Sequence, residues 1–329
     1  NLDAIIADAR DRATRRGQQF TILTLGRTAF MRIMDLTDRD PIMRGDYQNY
    51  PFWSERYKAF VIATYHPAFL QRGKHNLAPT LQFAAQRAIE IAAGGLTLDE
   101  PTYLLDPTID EFNTWVDGYF EALATDRDGT YLSYDIETPY KSGKGEDEIA
   151  REDDDDYSIL RVSFCYRPGH AVSIPWEAAY IPAIERLFQG GGMALGWNSQ
   201  NYDDPRIMAQ MTMNVVRLDA MLAWHVLNTS LEKGLGFVTP FYAKTTKMWK
   251  HLSEEQPALY NAIDSDMALR CYIGIKADLI RNGLWDVFNR HVIQLNEVLA
   301  YMSREGVLLD QDARMAADTH KNWRCPRCE

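Results

Sequence analysis

Asp135 and Glu137 stand one residue apart in the run Tyr131-Leu132-Ser133-Tyr134-Asp135-Ile136-Glu137-Thr138. Residues 131–136 are rich in aromatic and β-branched side chains, and Gly129 and Pro139 bracket them, so the run predicts a β-strand. A side-chain period of two then puts both carboxylates on one face. Neighbouring carboxylates repel; such a pair persists if a cation lies between them or if one keeps its proton. Hard oxygen donors at that spacing suit Mg²⁺ or Mn²⁺. Two solvated acids at a strand end would read the same way, because surface acids are common. Further acids shift the balance. Asp203 and Asp204 follow a short apolar strand near the start of a helix, where either would also serve as a cap. Tyr260 and Asp264 are four residues apart in a helical segment and so share a face. A carboxylate in an otherwise apolar helix requires a partner.

The hydrophobic pattern predicts the elements that carry these side chains. After the Asp135 strand, residues 159–166 and 170–175 read as two strands joined by the turn Arg167-Pro168-Gly169. Residues 178–188 read as a helix, 193–197 as a strand, and 256–270 as one helix. The acidic, glycine-containing stretch 141–156 reads as a solvated mobile loop, since a block of like charges with hardly an apolar residue repels itself. Upstream, residues 21–26 and 59–65 are apolar strands, and 27–34 and 76–93 are helices, a strand–helix–strand–helix order typical of an α/β layer. Residues 35–57 read as irregular, 96–110 as a connector and 109–124 as a helix. Residues 285–319 read as two helices, the first with a stripe of Leu295, Val298, Leu299 and Met302.

The chain has 329 residues, enough for two domains, with 46% hydrophobic and 25% charged residues as in ordinary globular proteins. No apolar run approaches membrane-spanning length, and there is no export signal pattern, so a cytoplasmic location is expected, with no membrane partner. The four cysteines are too few and scattered for a disulfide framework. A net charge of −11 argues against a broadly basic duplex-binding surface, but not against a nucleic-acid enzyme whose acidic site binds metal. The chain opens on Asn1 and closes on Glu329, and both ends read as cut from something longer.

The motifs occur in a telling order: Asp135-x-Glu137 on a strand, Asn198-x-x-x-Tyr202-Asp203 after a strand, then Tyr260-x-x-x-Asp264 on a helix. This order resembles the proofreading 3′→5′ exonuclease domain of DNA polymerases, the tyrosine branch of the four-carboxylate exonuclease superfamily. The segments around Leu218-Asp219, Gly234-Leu235-Gly236 and Trp249-Lys250 are similar to the linker helix and loop of phage and bacterial A-family polymerases. The resemblance spans residues 128–285. It implies a ribonuclease H-like α/β fold, a mixed sheet flanked by helices. It also implies two divalent ions, Mg²⁺ or Mn²⁺. By resemblance, Asp135, Glu137 and Asp264 would hold the tighter ion, Asp135 and Asp203 would serve the second, and Tyr260 would orient the attacking water. Thr138 would contact the 3′ nucleotide, and Asn198 would hydrogen-bond the nucleic-acid strand. Three residues separate Asn198 from Tyr202, a spacing closer to B-family polymerases, which leaves open which neighbour of Asp203 contacts the strand.

A second resemblance precedes it. Thr24-Leu25-Gly26-Arg27-Thr28-Ala29, Met43-Arg44-Gly45 and the run from Ala63 through His66-Pro67 to Arg72 resemble the C-terminal half of the uracil-DNA glycosylase superfamily. That match marks His66 as a substrate-binding residue, in a loop that touches the extruded base and the DNA backbone. A histidine in a turn before proline carries the same signature without that role. The N-terminal half of that fold is missing, so glycosylase activity does not follow. Residues 1–95 read as a partial α/β glycosylase-like domain that docks to DNA or to its neighbour, 96–127 as connector and helix, and 128–285 as the exonuclease domain. Residues 286–329 read as the truncated start of a polymerase region: Glu305-Gly306-Val307-Leu308-Leu309-Asp310 resembles the beginning of an A-family polymerase domain, whose palm and fingers are missing here. Cys325 and Cys328 make a lone Cys-x-x-Cys, which would supply half of a four-ligand zinc site; with no second pair following, bound zinc is the less favoured reading.

The sequence therefore predicts a metal-dependent exonuclease that removes mononucleotides from single-stranded or frayed DNA 3′ ends, the proofreading part of a phage-like polymerase, in a bacterial or phage-infected cell. The alternatives are a catalytically silent DNA-binding or scaffold module, and a base-recognition module carried by the His66 loop.

Overall fold

The computed structural model describes residues 2–139 and 157–319; the acidic loop 141–156 and the pair Cys325/Cys328 lie outside the described residues. The N-terminal part builds a three-stranded sheet from α1 (Leu2–Arg15), β1 (Thr21–Leu25), α2 (Arg27–Met34), β2 (Pro51–Ser54), β3 (Ala59–Thr64), α3 (Pro67–Gln71) and α4 (Ala78–Gly94). The order is β1-β3-β2, with β1 parallel and β2 antiparallel to β3. Strand β2 falls in the stretch expected to be irregular. Its first residue is Pro51 and it lies at the sheet edge, where a missing N–H is tolerated. Strand β3 is buried along its whole length, so its two faces serve different cores. Phe60 and Ile62 pack with Ala84 and Ile91 of α4, whereas Ala59, Val61 and Ala63 join a larger core that continues to Trp224, Trp249 and Tyr272. The N-terminal sheet thus docks on its neighbour. Arg87 Nη1 donates to the carbonyls of Asn49 and Pro240 at 2.8 and 3.1 Å, and Asn76 Nδ2 donates to Ser230 O at 2.8 Å.

The second sheet comprises β4 (Leu104–Leu105), β5 (Tyr131–Glu137), β6 (Arg161–Cys165), β7 (Val172–Pro175), β8 (Met193–Gly196) and β9 (Val216–Asp219) in the order β4-β7-β6-β5-β8-β9. Strand β6 runs antiparallel to β5 and β7, while β5, β8 and β9 are mutually parallel. With helices on both faces, this is the mixed α/β sheet that was expected. The two outermost strands, β4 and β9, are two and four residues long and carried no readable strand pattern. One face of β5, formed by Leu132, Tyr134 and Ile136, packs on α5 (Ile109–Thr125) and α6 (Ile181–Gln189) through Phe112, Val116, Ile184 and Leu187. A reciprocal capping box between Thr108 and Glu111 starts α5. The other face, carrying Ser133, Asp135 and Glu137, meets α10 (Pro257–Arg281). That helix runs for 25 residues, well past the predicted segment. Between these elements lie α7 (Asp203–Met208), α8 (Ala220–Leu227) and α9 (Leu235–Tyr242).

Asp266, fully buried on α10, ties three segments together. It accepts from Tyr103 Oη at 2.7 Å, Gly169 N at 2.9 Å and Arg270 Nε at 2.9 Å, while Arg270 also reaches Asp99 at 2.6 Å. Its role is therefore architectural: it fastens the connector and the β6–β7 turn to α10. Asp266→Ala would leave a buried hydroxyl, amide and guanidinium without this acceptor and should cost on the order of 3 kcal/mol. A denaturant-unfolding midpoint checks this, with Asp266→Asn expected to lose less.

Beyond α10 the chain forms α11 (Trp285–Val287), a π turn at Phe288–Ile293, α12 (Gln294–Glu305) and α13 (Gln311–Thr319). Phe288 is buried, but the stripe of Leu295, Val298, Leu299 and Met302 is exposed rather than packed. Among the described residues, no helix is long and apolar enough to cross a membrane.

Candidate metal centre

Strand β5 and helix α10 bring the predicted acids together. Oxygens of Asp135, Glu137 and Asp264 lie within 4.8 Å of one another. Asp203 joins from the N-terminal end of α7: its Oδ1 accepts the Ile136 backbone N–H at 3.0 Å, which fastens it beside the β5 acids. Its neighbour Asp204 is spent on structure, bonded by the Tyr134 hydroxyl and by Arg217 Nη1 at 3.1 Å. Tyr260 lies one turn before Asp264.

Electrostatics follow from this crowding. Burial, with the charges of Asp264, Asp203 and Glu137 adding to it, raises the Asp135 carboxyl well above the carboxylate range. Burial and Asp264 push Glu137 up to about 7 against the opposing pull of Lys250 and Arg161. Asp203 is also raised well, chiefly by burial, and the Ile136 N–H works the other way. Burial and the Asp264 charge hold the Tyr260 phenol above its ordinary value.

Three residues that sequence reasoning left out complete the centre. Lys250 Nζ donates to Asp264 Oδ1 at 2.7 Å and to Tyr260 Oη at 3.0 Å. Burial opposes its charge, but Asp264 and Tyr260 outweigh that and hold the ammonium above its ordinary range. Trp249 Nε1 donates to the same Asp264 oxygen at 2.8 Å. Asn261 Nδ2 donates to Asp135 Oδ2 at 2.9 Å and to Asp135 O at 3.1 Å, and its own Oδ1 accepts from Ser173 Oγ at 2.8 Å. Asn261 carried a legible signal, since an amide beside Tyr260 on an apolar helix must find partners when buried. Lys250 and Trp249 lie in a segment marked by the polymerase resemblance, but nothing there pointed to the acids, because their partner lies across a turn.

The remaining predicted residues divide. Thr138 Oγ1 lies 2.7 Å from Tyr202 Oη, and the Arg206 guanidinium stacks 3.8 Å from the centroid of that ring, so β5 and α7 are bridged just beyond the acids. Asn198 adopts a positive φ of 61°, and its amide donates to Asp219 Oδ1 at 3.1 Å. Asp219 is buried and also accepts from the amides of Gln200, Met221 and Leu222, fixing the loop that leads to Asp203. His66 belongs to the other unit. It is exposed at the end of β3, its Nδ1 caps α3 by accepting Ala68 N at 3.0 Å, and its Cβ faces Gly26.

The donor set fits a hard divalent cation: several carboxylate oxygens converge, with no thiol or imidazole among them. No protein-family model matches the sequence. No curated protein matches it either. Solved structures resemble it at low identity. The POL domain of Pol1 from M. smegmatis, in complex with DNA primer-template and dNTP, is 12% identical with a TM-score of 0.47, over 64% of this chain and 33% of that one. Brucella melitensis NrnC bound to pGG is 16% identical with a TM-score of 0.42, over 66% and 99% of the two chains. Escherichia coli RNase D, an exoribonuclease involved in structured RNA processing, is 11% identical with a TM-score of 0.42, over 69% and 56%. The matched region thus spans about a third of the Pol1 structure.

Proposed function

We propose that the chain is a metal-dependent 3′→5′ exonuclease acting on single-stranded or frayed DNA 3′ ends, the proofreading part of a DNA polymerase. The observation that carries this is the convergence of Asp135, Glu137 and Asp264 within 4.8 Å. In this reading those three acids hold one divalent ion, and Asp135 with Asp203 serves a second. Bound there, the ions would neutralise the phosphoryl oxygens and supply an activated water at neutral pH. The chain's own groups do the rest. Burial and the Asp264 charge raise the Tyr260 phenol in the metal-free protein, and a phenol is a poor base at neutral pH, so in this reading Tyr260 orients the water by hydrogen bonding. Lys250 donates to the phenol oxygen, leaving the phenol proton free to be offered elsewhere. Asn261 fixes Asp135, and the Thr138–Tyr202 bridge borders the place where the 3′ nucleotide would lie. The glycosylase-like N-terminal part enters this proposal as a docked unit, without base chemistry of its own.

Degradation of a 5′-labelled single strand with Mg²⁺, Mn²⁺ or EDTA tests the reading. A ladder shortening from the 3′ end, present with metal and absent with EDTA, is expected. Tyr260→Phe should lower kcat by about ten- to a hundredfold, as for loss of an orienting group. Mn²⁺ affinity, measured by calorimetry, should stay at the wild-type value. One observation favours the alternative of a silent, DNA-binding scaffold: the Lys250 ammonium already bonds Asp264, where a cation would go. A protein that binds no Mn²⁺ at millimolar concentration would be that scaffold.

A further inference from the structure

At the junction of the two units, side chains from two segments converge on a glycine of a third. Gly236, in the first turn of α9, is closely packed: a Cβ there would stand 3.0 Å from Asp46 Oδ2 and 3.3 Å from Lys250 Cγ, so those side chains would have to give way. Its carbonyl accepts the Tyr50 hydroxyl at 2.7 Å. Asp46 and Tyr50 belong to the N-terminal unit, whereas Lys250 and Trp249 both donate to Asp264. The Tyr50 ring meets the Trp249 indole edge-on, with centroids 6.2 Å apart. The helical turn Pro41–Arg44 packs on the turn Lys250–Leu252, and a Cβ on Gly45 would come 2.7 Å from Met248 Cε. The stem of Lys250 is therefore flanked by the N-terminal unit at Gly45 and by α9 at Gly236. A lysine has a long flexible stem and loses much rotamer freedom when its ammonium is held in one place. Confining the stem beforehand removes that loss from the reaction itself.

We propose that the N-terminal unit is a positioning element for the nuclease centre. Asp46 and Tyr50, meeting at Gly236, hold Lys250 and Trp249 against Asp264 and Tyr260. This rests on the nuclease reading and gives the N-terminal part a role that requires neither base chemistry nor a DNA contact.

Two substitutions probe it without touching a carboxylate. Gly236→Val fills the space of the Lys250 stem, and Tyr50→Phe removes one hydrogen bond while keeping the ring. Gly236→Val should lower kcat on a 5′-labelled oligonucleotide by about tenfold or more, as expected for a shift on the order of 1 Å in a positioned group. Tyr50→Phe should lower it less, and KM should hold in both. The distinguishing readout is coupling: in a Lys250→Met background neither substitution should lower kcat further. Arg56→Ala, which breaks the surface pair with Asp3 in the same unit, is the control expected to keep the wild-type rate. Wild-type rates in folded Gly236→Val and Tyr50→Phe, or effects that multiply fully with Lys250→Met, would overturn the proposal. Calorimetric Mn²⁺ titration separates it from the nuclease reading. Lys250→Met removes a positive charge beside Asp264 and should tighten Mn²⁺, and Gly236→Val should move the affinity in the same direction. A wild-type protein that binds Mn²⁺ but degrades nothing sinks the nuclease reading and the kcat effects that rest on it, and the Mn²⁺ titration of Lys250→Met and Gly236→Val then decides whether the N-terminal unit positions Lys250. A shift with Lys250→Met but none with Gly236→Val sinks the positioning role alone, and a wild type that binds no Mn²⁺ sinks both.

Discussion

Asp135→Ala is expected to abolish 3′-end degradation, with a loss on the order of 10³-fold or more, because metal-borne stabilisation of several kcal/mol corresponds to that factor. Asp135 is the acid on which the others converge: Asp264, Asp203 and Glu137 all act on its carboxyl, and Asn261 fixes one of its oxygens at 2.9 Å. Asp203→Ala should be equally inactive by a different route. It removes the acid that the proposal shares with the second ion and also frees the Ile136 amide, whose bond at 3.0 Å holds α7 to β5. The two variants should therefore differ in stability. Relieving repulsion at Asp135 should leave the metal-free fold as stable as wild type or more so, whereas Asp203→Ala strands a buried donor. Single-turnover degradation with Mg²⁺, read beside thermal melting in EDTA, tests both statements. Full activity in either folded variant would remove that residue from the centre.

What could be read in the sequence was what local periodicity determines. Alternation along β5 placed Asp135 and Glu137 on the face away from Tyr134 and Ile136, and the four-residue step on α10 stacked Tyr260 on Asp264. The contacts that finish the centre depend on chain closure instead. Lys250 reaches Asp264 only because the turn Lys250–Leu252 folds back before α10 begins, and no pattern in Met248-Trp249-Lys250 announces that. Asp203 was singled out by its motif, but its bond to Ile136 spans 67 residues. The same limit hid the edge strands. β9 has four residues and is followed at once by α8, so its hydrophobic pattern is too short to separate strand from helix. At the C-terminus, Leu295, Val298, Leu299 and Met302 showed the right spacing for a packed stripe, yet each is exposed. Helical spacing shows that a face exists and says nothing of what covers it.

Cation binding and stability should depend on pH in opposite senses. Glu137 titrates at about 7 in the folded protein against 4.5 for an ordinary glutamate, and burial is the main cause. The folded state thus holds this proton more tightly than the unfolded chain does. The stability that Glu137 contributes is full below pH 4.5 and is lost as pH rises through about 7. Asp135, raised well by burial and its acidic neighbours, acts in the same direction. In EDTA the melting temperature should therefore fall between pH 5 and pH 8. A divalent cation needs these carboxylates ionised, so below pH 7 it must displace protons. Mn²⁺ affinity should weaken by roughly tenfold per pH unit for each proton displaced. The gain in melting temperature from Mn²⁺ should accordingly be large at pH 8 and small at pH 5. Glu137→Gln cannot ionise and removes one of the charges that cause the effect, so it should flatten the EDTA profile and weaken Mn²⁺ at pH 8. A metal-free melting temperature that rises from pH 5 to pH 8 would contradict the buried, mutually repelling cluster at its root, because solvated acids with ordinary titration would not place the loss of stability in that window.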